Sequence, residues 1–393
     1  DNGKKIPNYS KRLNRQVLPP HYVENGAFII SKYDVVNEQT RIGNKVDVFE
    51  IPQEEAIDID TYADLKYAEN ILLNNKIAFY VNGNNKRGVG HIYRALELAD
   101  EFFAKPDIYY DSNQTSPDFF GNTTHNVVGL DGIGELFSVL KSNQYDLFIN
   151  DILDTSIDYM IAIRKCLPNA KIVNFEDSGE RCYSADLVIN ALYQDSEMKH
   201  IKAGQKYYIS AKSFLFYDPI IINDRVSNVF ISFGGADPQN YTNRLLKIIS
   251  KKKYDKYKFC VVLGRAKSNV DELMNYNSIE NITVLFDVKN MPELMSNSDM
   301  AITSRGRTGY ELAMLGIPTI AMAQNVREEK HGFVSHENGF NYLGLNPSND
   351  LIESNLDIYL KLGRKERQRQ QNMLLRNDLR NGRNRILSLI NSL

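Results

Sequence analysis

Tryptophan is absent from this sequence of 393 residues, and cysteine occurs only three times, as Cys166, Cys182 and Cys260. The cysteines are far apart, and no CxxC pair or Cys/His cluster accompanies them. This spacing argues against a structural zinc site and favours buried free thiols in a reducing compartment. No apolar run approaches the roughly 18 residues that a membrane span requires.

An excess of charge is also missing. Lysine and arginine number 47 against 49 acidic residues, which gives a formal net charge of −2 with both signs interspersed. This balance leaves no broad basic surface, so we expect no nucleic acid partner. The chain begins DNGKK, with neither an initiator methionine nor a signal-peptide core. We therefore expect a cytoplasmic location and a place within a longer polypeptide.

Apolar runs and helical patterns divide the chain into three zones. Residues 1–75 contain two strand-like stretches (Gly26–Ile30 and Val46–Phe49) and a helical pattern over Tyr62–Leu73, too little apolar material for an independent core. Residues 76–223 alternate buried-strand runs with helical patterns, from IAFYV through DLFIN and KIVNF to DLVIN. Residues 224–393 restart this alternation at NVFIS and end in a segment that predicts one or two long helices.

Short apolar runs separated by helices indicate parallel sheets covered on both faces. The sequence therefore predicts an α/β protein with two doubly wound parallel-sheet domains, which face each other across a cleft. Such sheets bind ligands beyond the carboxyl ends of their strands, where glycine-rich loops enter helices. Loops of this kind occur in both domains: GVGH (residues 88–91), FGGADP (residues 233–238) and SRGRTG (residues 304–309).

The two loops of the second domain predict an anion site. Paired glycines let backbone N–H groups approach an anion, and a helix N-terminus adds partial positive charge. A tight turn is the simpler alternative for Gly234-Gly235 alone. SRGRTG adds Arg305, Arg307 and a hydroxyl. Glu311 lies three residues after Thr308, so it either completes a capping box or grips the hydroxyls of a ribose.

Three further stretches carry candidate side chains. The segment QNVREEKH (residues 324–331) is dense in amides and charges, although a solvated turn would look the same. His91 has an ordinary pKa that suits a general base, and it could equally be an inert helix cap. Asp151 and the Glu176-Asp177 pair end strands of the first domain. They could orient the histidine, bind sugar hydroxyls or cap helices.

From Lys76 to the C-terminus the chain resembles a known family through GVGHIYRALELA, LFINDI, IVNFEDSGERCYSADLVIN, VFISFGGADPQNYT and SRGRTGYELAMLGIPTIAMAQN. The family is that of the UDP-sugar hydrolases of pseudaminic acid biosynthesis and their relatives in spore-coat polysaccharide synthesis, which have the GT-B fold. More distantly the chain is similar to the glycosyltransferase that makes lipid II. SRGRTG and QNVREEKH depart from the family pattern, which leaves the sugar and the acceptor open.

The resemblance implies that His91 is the catalytic base, which activates a water that attacks the anomeric carbon with inversion and loss of UDP. Asp151 and Asp177, which end strands of the same domain, are the candidate catalytic residues beside it. The resemblance also implies a diphosphate and uridine held by FGGADP and SRGRTG, Glu311 on the ribose, and no cofactor. Together with the loops above, it gives the following candidate substrate-binding residues: Gly88, Gly90, Arg94, Gly234, Gly235, Asp237, Ser304, Arg305, Gly306, Arg307, Thr308, Glu311, Gln324, Asn325 and His331.

The first zone resembles something else. The stretch at 14–28, NRQVLPPHYVENGAF, and AIDIDTYADL at 56–65 are similar to the last third of a cytidylyltransferase for sialic-acid-type sugars. That resemblance implies Mg²⁺ at Asp58 and Asp60, which as i and i+2 share one face of an extended segment. An acid-rich helix start is the alternative. The nucleotide-binding part of such an enzyme is missing, so we expect a remnant of a fusion without cytidylyltransferase activity.

The expected function is therefore metal-independent, inverting hydrolysis of a UDP-linked amino or deoxy sugar in the synthesis of nonulosonic acids. The alternative is a GT-B glycosyltransferase that passes the sugar to a glycan, because both would share the same donor-binding loops. A nucleotide-sugar-binding module without turnover is a third hypothesis. The expected partners are the UDP-sugar and the missing cytidylyltransferase portion, and a homodimer is compatible with the sequence.

Overall fold

The computed structural model describes residues 26, 28–51, 56–72, 76–84, 88–179, 182–193 and 198–393. The chain divides into two compact units, residues 1–74 and 75–393. The predicted motif at 14–28 falls largely outside the described residues, as does Leu73 at the end of the first predicted helix.

The first unit contains the helix α1, Tyr62–Leu72, as the sequence predicts. Thr61 and Asp64 cap its start reciprocally, since each backbone N–H binds the other's side-chain oxygen. The two predicted strands are wrong: the described residues of Gly26–Ile30 and Val46–Phe49 form no strand. Their apolar side chains are exposed. A strand needs a neighbour for its backbone hydrogen bonds, and the described residues of this unit supply none.

The second unit contains two sheets, and all strand pairings within each sheet are parallel. We call the part of this unit that is built on the first sheet the first domain, and the part built on the second sheet the second domain. The strands of the first sheet are β1 Ile77–Val81, β2 Asp107–Asp111, β3 Asn126–Leu130, β4 Leu147–Asp151, β5 Lys171–Phe175, β6 Leu187–Asn190 and β7 Ile201–Ala203. Those of the second are β8 Asn228–Ser232, β9 Lys258–Leu263, β10 Ile282–Phe286, β11 Met300–Ser304, β12 Thr319–Ala323 and β13 Asn341–Leu345.

Helices connect the strands and close the unit. They are α2 Gly90–Ala99, α3 Ile133–Asn143, α4 Ile157–Cys166, α5 Tyr241–Ile249, α6 Val270–Met274, α7 Met291–Ser296, α8 Arg307–Met314, α9 Val326–Glu329, α10 Asn349–Tyr359, α11 Arg364–Leu375 and α12 Gly382–Asn391. Each sheet has a hydrophobic cluster on both of its faces, which is the burial that continuous apolar strands require. None of the described helices combines the length and apolar character needed to cross a membrane.

The order of the strands in each sheet indicates where a ligand would bind. It is β3-β2-β1-β4-β5-β6-β7 in the first sheet and β10-β9-β8-β11-β12-β13 in the second. Each sheet therefore reverses its winding direction once, between β1 and β4 and between β8 and β11. Ligands of open α/β sheets bind in the crevice at such a switch point, beyond the carboxyl ends of the strands.

Sequence patterns miss the strands β3, β7 and β13, which are edge strands of their sheets. The strand β7 has only three residues, and β3 and β13 are partly exposed and interrupted by Gly129 and Gly344. These three strands are buried less completely than the central strands, so they lack a continuous apolar run.

The segment after residue 350 forms three helices, α10, α11 and α12, instead of the one or two predicted. The last helix packs with the first sheet, since Ile386 and Ile390 belong to the same hydrophobic cluster as Phe79 and Ile92. The domain limits 1–75, 76–223 and 224–393 stay a prediction. The packing of α12 shows that the C-terminal residues return to the first of the two sheets.

Candidate functional site

A cavity of about 520 Å³ lies between the two sheets of the second unit. Its walls come from the loops that follow β1, β4, β5 and β6 on one side, and β8, β9, β10, β11 and β12 on the other. Both switch points therefore open onto the same space. A space of this size between two doubly wound sheets has the dimensions and position of a small-molecule site.

His91 lies in the first turn of α2, at the wall formed by the first sheet. Its Nδ1 is 2.6 Å from Oδ1 of Asp151, the last residue of β4. The strands β1 and β4 are adjacent, so the switch point itself brings this pair together from positions 60 residues apart. The His91 side chain is 12% exposed and the Asp151 side chain 2% exposed, so the pair is almost removed from water.

Arg94, one turn further along α2, extends this pair into a buried network. Its Nε donates to Asp151 Oδ2 at 2.7 Å, and one terminal nitrogen donates to Oδ1 at 2.6 Å. The other terminal nitrogen reaches Glu176 Oε1 at 3.0 Å, and the guanidinium lies over the ring of Phe175. Its donors are thus committed to protein groups, so Arg94 orients Asp151 and Glu176, although the sequence had indicated a substrate contact.

The network sets the protonation of His91. Burial lowers the pKa of His91, and the attraction of Asp151 opposes this effect without cancelling it. For Asp151, burial raises the pKa, but Arg94 and His91 outweigh burial and hold the carboxyl ionised. An ionised carboxylate accepts the proton of Nδ1, which leaves the lone pair on Nε2. His91 therefore faces the cavity as a neutral imidazole in the tautomer that a general base requires.

Two residues at the same wall have unusual backbone conformations. Leu153, after β4, has φ +70°, and Glu176, after β5, has φ +52°. Residues other than glycine rarely adopt this region of backbone conformation. Both line the cavity. Burial raises the pKa of Glu176 to about 7, with Arg94 acting in the opposite direction. Backbone strain of this kind clusters at functional sites because the surrounding structure enforces it.

On the opposite wall, the glycines after β8 allow backbones to meet closely. Gly234 has φ +73°, as expected for a tight turn. A Cβ at Gly264, after β9, would lie 2.2 Å from the Gly234 carbonyl oxygen and 2.5 Å from the Gly235 Cα. No side chain fits there, so glycine at 264 fixes the shape of the FGGADP loop.

The helix α8 begins at the cavity, with Gly306 as its N-cap residue. Its first backbone N–H groups have no partner within the helix and carry partial positive charge, as an anion site requires. The capping-box alternative for Glu311 does not hold, because the helix starts at Arg307 and has no side-chain cap. Glu311 instead lines the cavity, and burial raises its pKa to about 7.

The two arginines of SRGRTG point in different directions. Arg305 donates to the carbonyls of Glu329 and Val334 and stacks on Tyr342, outside the set of cavity-lining residues. Arg307 lines the cavity and lies against the first domain: a Cβ at Gly90 would be 2.7 Å from its Cδ. One terminal nitrogen donates to the Ile209 carbonyl, and the other is buried without a hydrogen-bond partner.

Other predicted residues shape the loops. Asp237 accepts from the backbone N–H groups of Tyr241 and Thr242 and from the buried Lys267, so its carboxylate caps α5. The Gln324 amide binds the Asp237 carboxylate and the Phe233 carbonyl. Both residues line the cavity, but their side chains are already committed to holding FGGADP in place.

The segment after β12 closes the cleft. Asn325 caps α9, and His331 Nδ1 contacts the Arg305 carbonyl oxygen at 2.8 Å. Arg327 reaches across to the first domain, where it pairs with both oxygens of Asp154 and donates to the Glu176 carbonyl at 2.8 Å. The sequence carries no local signal of this contact, because its partners are more than 150 residues away in the chain.

The structure places nearly all candidate residues together. The following candidates line the cavity: Gly88, Gly90, His91, Arg94, Gly234, Gly235, Asp237, Ser304, Gly306, Arg307, Thr308, Glu311, Gln324, Asn325 and His331. Asp177 does not: its carboxylate binds Thr155, Asn174 and the Gly179 backbone, and the residue is fully buried. Its neighbour Glu176 takes the place at the cavity that the sequence suggested for Asp177.

Metal binding was expected only at Asp58 and Asp60. Both are exposed residues just before α1. Within the described part of the chain, no group of three His, Cys, Asp or Glu side chains is arranged to hold a metal ion. These two residues alone do not make a ligand set, and Mg²⁺ binding there stays a prediction for an intact cytidylyltransferase domain.

The chain is similar in sequence to two known proteins. No protein-family model matches the chain. It is 30% identical over 275 residues to an uncharacterised protein of Methanocaldococcus jannaschii, an alignment that covers 64% of this chain and 56% of that protein. It is 24% identical over 268 residues to the spore coat polysaccharide biosynthesis protein SpsG of Bacillus subtilis, covering 63% of this chain and 77% of that protein. The chain thus spans little more than half the length of the first relative.

Solved structures show the fold. MurG of Acinetobacter baumannii matches with a TM-score of 0.56 at 11% identity, and HepE of Anabaena in complex with UDP-glucose matches with 0.50 at 13% identity. Each match covers 81% of this chain and 100% of the other. The two parallel-sheet domains therefore have the GT-B fold, as the sequence predicts, whereas the cytidylyltransferase resemblance of the first zone stays a prediction.

Proposed function

We propose that this protein cleaves the bond between UDP and an amino or deoxy sugar, with His91 as the general base for an attacking hydroxyl group. The observation that carries the proposal is the buried pair of His91 and Asp151 at one wall of a cavity whose other wall includes the N-terminus of α8, where an anion would be stabilised. A base and an anion site that share one cavity suit a reaction in which a phosphate leaves as a nucleophile attacks.

In the proposed step, Nε2 of His91 takes the proton of the hydroxyl as its oxygen bonds to the anomeric carbon. The bond from that carbon to the diphosphate oxygen breaks on the opposite face, so the configuration inverts. The imidazolium that forms is stabilised by Asp151, which Arg94 holds in place. The charge that develops on UDP is stabilised by backbone N–H groups near Gly235 and Gly306, without a metal ion.

The nucleotide would lie along the second domain. Glu311, in the second turn of α8, is close enough to the start of the helix for one ligand to reach both the helix N-terminus and this carboxylate. We assign it to the ribose hydroxyls. HepE, which shares the fold, binds UDP-glucose, and this supports a UDP-sugar as the ligand class here.

Water is the proposed acceptor, in the synthesis of nonulosonic acids. Transfer to a glycan is the second candidate, and the relationship to a spore coat polysaccharide biosynthesis protein favours it. Both reactions use the same base and the same leaving group, so the identity of the acceptor separates them.

The test is to incubate the purified protein with UDP-linked amino sugars and follow UDP release with and without sugar acceptors. Release without acceptor supports hydrolysis, and release only with acceptor supports transfer. The His91→Ala variant should lose at least about 10²-fold in turnover with nearly unchanged UDP affinity. A protein that binds UDP and releases none from any UDP-sugar would be a binding module, which would refute the proposal.

A further inference from the structure

Glu328 places a carboxylate at the position that the proposed function gives to the diphosphate. It belongs to α9, which follows β12, and it lines the cavity. Its Oε2 accepts a hydrogen bond from the backbone N–H of Gln324 at 2.8 Å. A Cβ at Gly306 would lie 3.4 Å from its Oε1, so the carboxylate lies beside the N-cap of α8.

The surroundings of Glu328 resemble those of a bound anion. Its carboxylate lies at the ends of the adjacent strands β11 and β12, in contact with backbone donors and near the Arg305 guanidinium. Burial raises the pKa of Glu328 to about 7, with the backbone groups of Gln324 and Arg305 acting in the opposite direction, so the carboxyl is mostly ionised above pH 7. A negative charge held at a helix N-terminus satisfies the same partial positive charge that a phosphate would.

We propose that Glu328 is an internal anion that occupies the diphosphate position of the cleft and has to withdraw when a nucleoside diphosphate binds. The inference rests on the proposed function, because it needs the diphosphate to bind at the start of α8. Withdrawal breaks the hydrogen bond to Gln324, and any approach of phosphate to the carboxylate is repulsive. The affinity for nucleotides is therefore lower than the loops alone would give.

The repulsion grows with the charge of the ligand. Free UDP has a terminal phosphate with one more ionisable oxygen than the esterified diphosphate of a UDP-sugar. Glu328 consequently disfavours the product UDP more than the substrate, and it assists product release. A residue that only supported the loop would instead strengthen the binding of both.

The test is to measure the dissociation constants of UDP, UMP and uridine by calorimetry at about pH 8.5, where Glu328 is ionised, for the wild type and for Glu328→Gln. Glutamine keeps an oxygen that accepts the Gln324 hydrogen bond and removes the charge. The matched control is Glu329→Gln, which makes the same change of charge at the exposed neighbouring residue. UDP should bind Glu328→Gln at least about tenfold more tightly than the wild type. The gain should be smaller for UMP and absent for uridine.

Each other outcome overturns the inference. Equal or weaker UDP binding by Glu328→Gln, with UDP binding by the wild type intact, would make Glu328 a support of the loop and leave the proposed function standing. An equal gain in Glu329→Gln would show an effect of net charge. Absence of UDP binding in all three proteins would remove the proposed function together with the inference. If Glu328→Gln does not fold, Glu328→Ala replaces it, since it also removes the charge and should likewise bind UDP more tightly.

Discussion

The Asp151→Asn substitution tests how His91 obtains its basicity. Asparagine preserves the shape of the side chain, but its amide can donate to Nδ1 of His91 and so place the proton on Nε2. The base is then in the wrong tautomer, and the imidazolium formed during the reaction loses its counter-ion. Asp151 also accepts two hydrogen bonds from Arg94, so the substitution leaves that buried cation with Glu176 as its remaining carboxylate partner.

The distances give the size of the expected effect. Nδ1 and Oδ1 are 2.6 Å apart. Taking the two charge centres as about 4 Å apart and an effective dielectric constant of about 20, the attraction that stabilises the imidazolium is about 4 kcal/mol. Each 1.36 kcal/mol changes a rate by about tenfold, so turnover should fall by about 10³-fold. In the proposed complex UDP lies against the other wall, so its dissociation constant should change by less than about twofold.

The assay is UDP release from a UDP-sugar that the wild type turns over, together with the thermal midpoint of each variant. A double variant separates the effect on His91 from a general loss of structure. If Asp151 acts through His91, then Asp151→Asn combined with His91→Ala should be no slower than His91→Ala alone. Full turnover in folded Asp151→Asn, or losses that multiply in the double variant, would refute the reasoning.

Four other outcomes are expected. In denaturant titrations, Gly264→Ala should destabilise the protein by about 1–3 kcal/mol, and it should also abolish UDP binding, because the added methyl group collides with the FGGADP backbone. The control Gly363→Ala should have neither effect, since no atom lies within 4 Å of a Cβ at that position. Asp177→Asn should lower the unfolding free energy by about 1–3 kcal/mol with nearly unchanged turnover. Burial lowers the pKa of His331 to about 4, so between pH 6.5 and 4 this histidine is protonated in the unfolded chain and neutral in the folded one. The free energy of unfolding should therefore fall as the pH falls through that window, and it should fall less steeply in His331→Gln. UDP release should persist in EDTA, and a loss restored by Mg²⁺ would contradict the metal-free step.

The parallel-sheet architecture could be predicted because central strands such as β1 and β4 are continuous apolar runs. His91 and the glycine loops were also predictable, since each lies at a change from strand to helix. The edge strands β3, β7 and β13 carry no comparable pattern. The two strands expected in the first unit failed for a different reason: their residues have the right composition, but the described part of that unit offers no partner strand.

Side-chain direction was the main limit on predicting the site. Arg305 and Arg307 are two residues apart, yet one packs on Tyr342 and the other crosses to the first domain. Glu176 and Asp177 are adjacent, and the left-handed backbone of Glu176 turns one toward the cavity and the other into the protein. The partners of Arg94 are 57 and 82 residues away, so only the folded chain reveals that it orients Asp151.

The most direct test of the account is a crystal structure of the complex with UDP. We expect the diphosphate against Gly235 and the start of α8, the ribose at Glu311, and His91 Nε2 directed across the cavity at the terminal phosphate. UDP bound at any other place, or an imidazole turned away from it, would contradict the central claim that the two GT-B domains present a base and a diphosphate to each other.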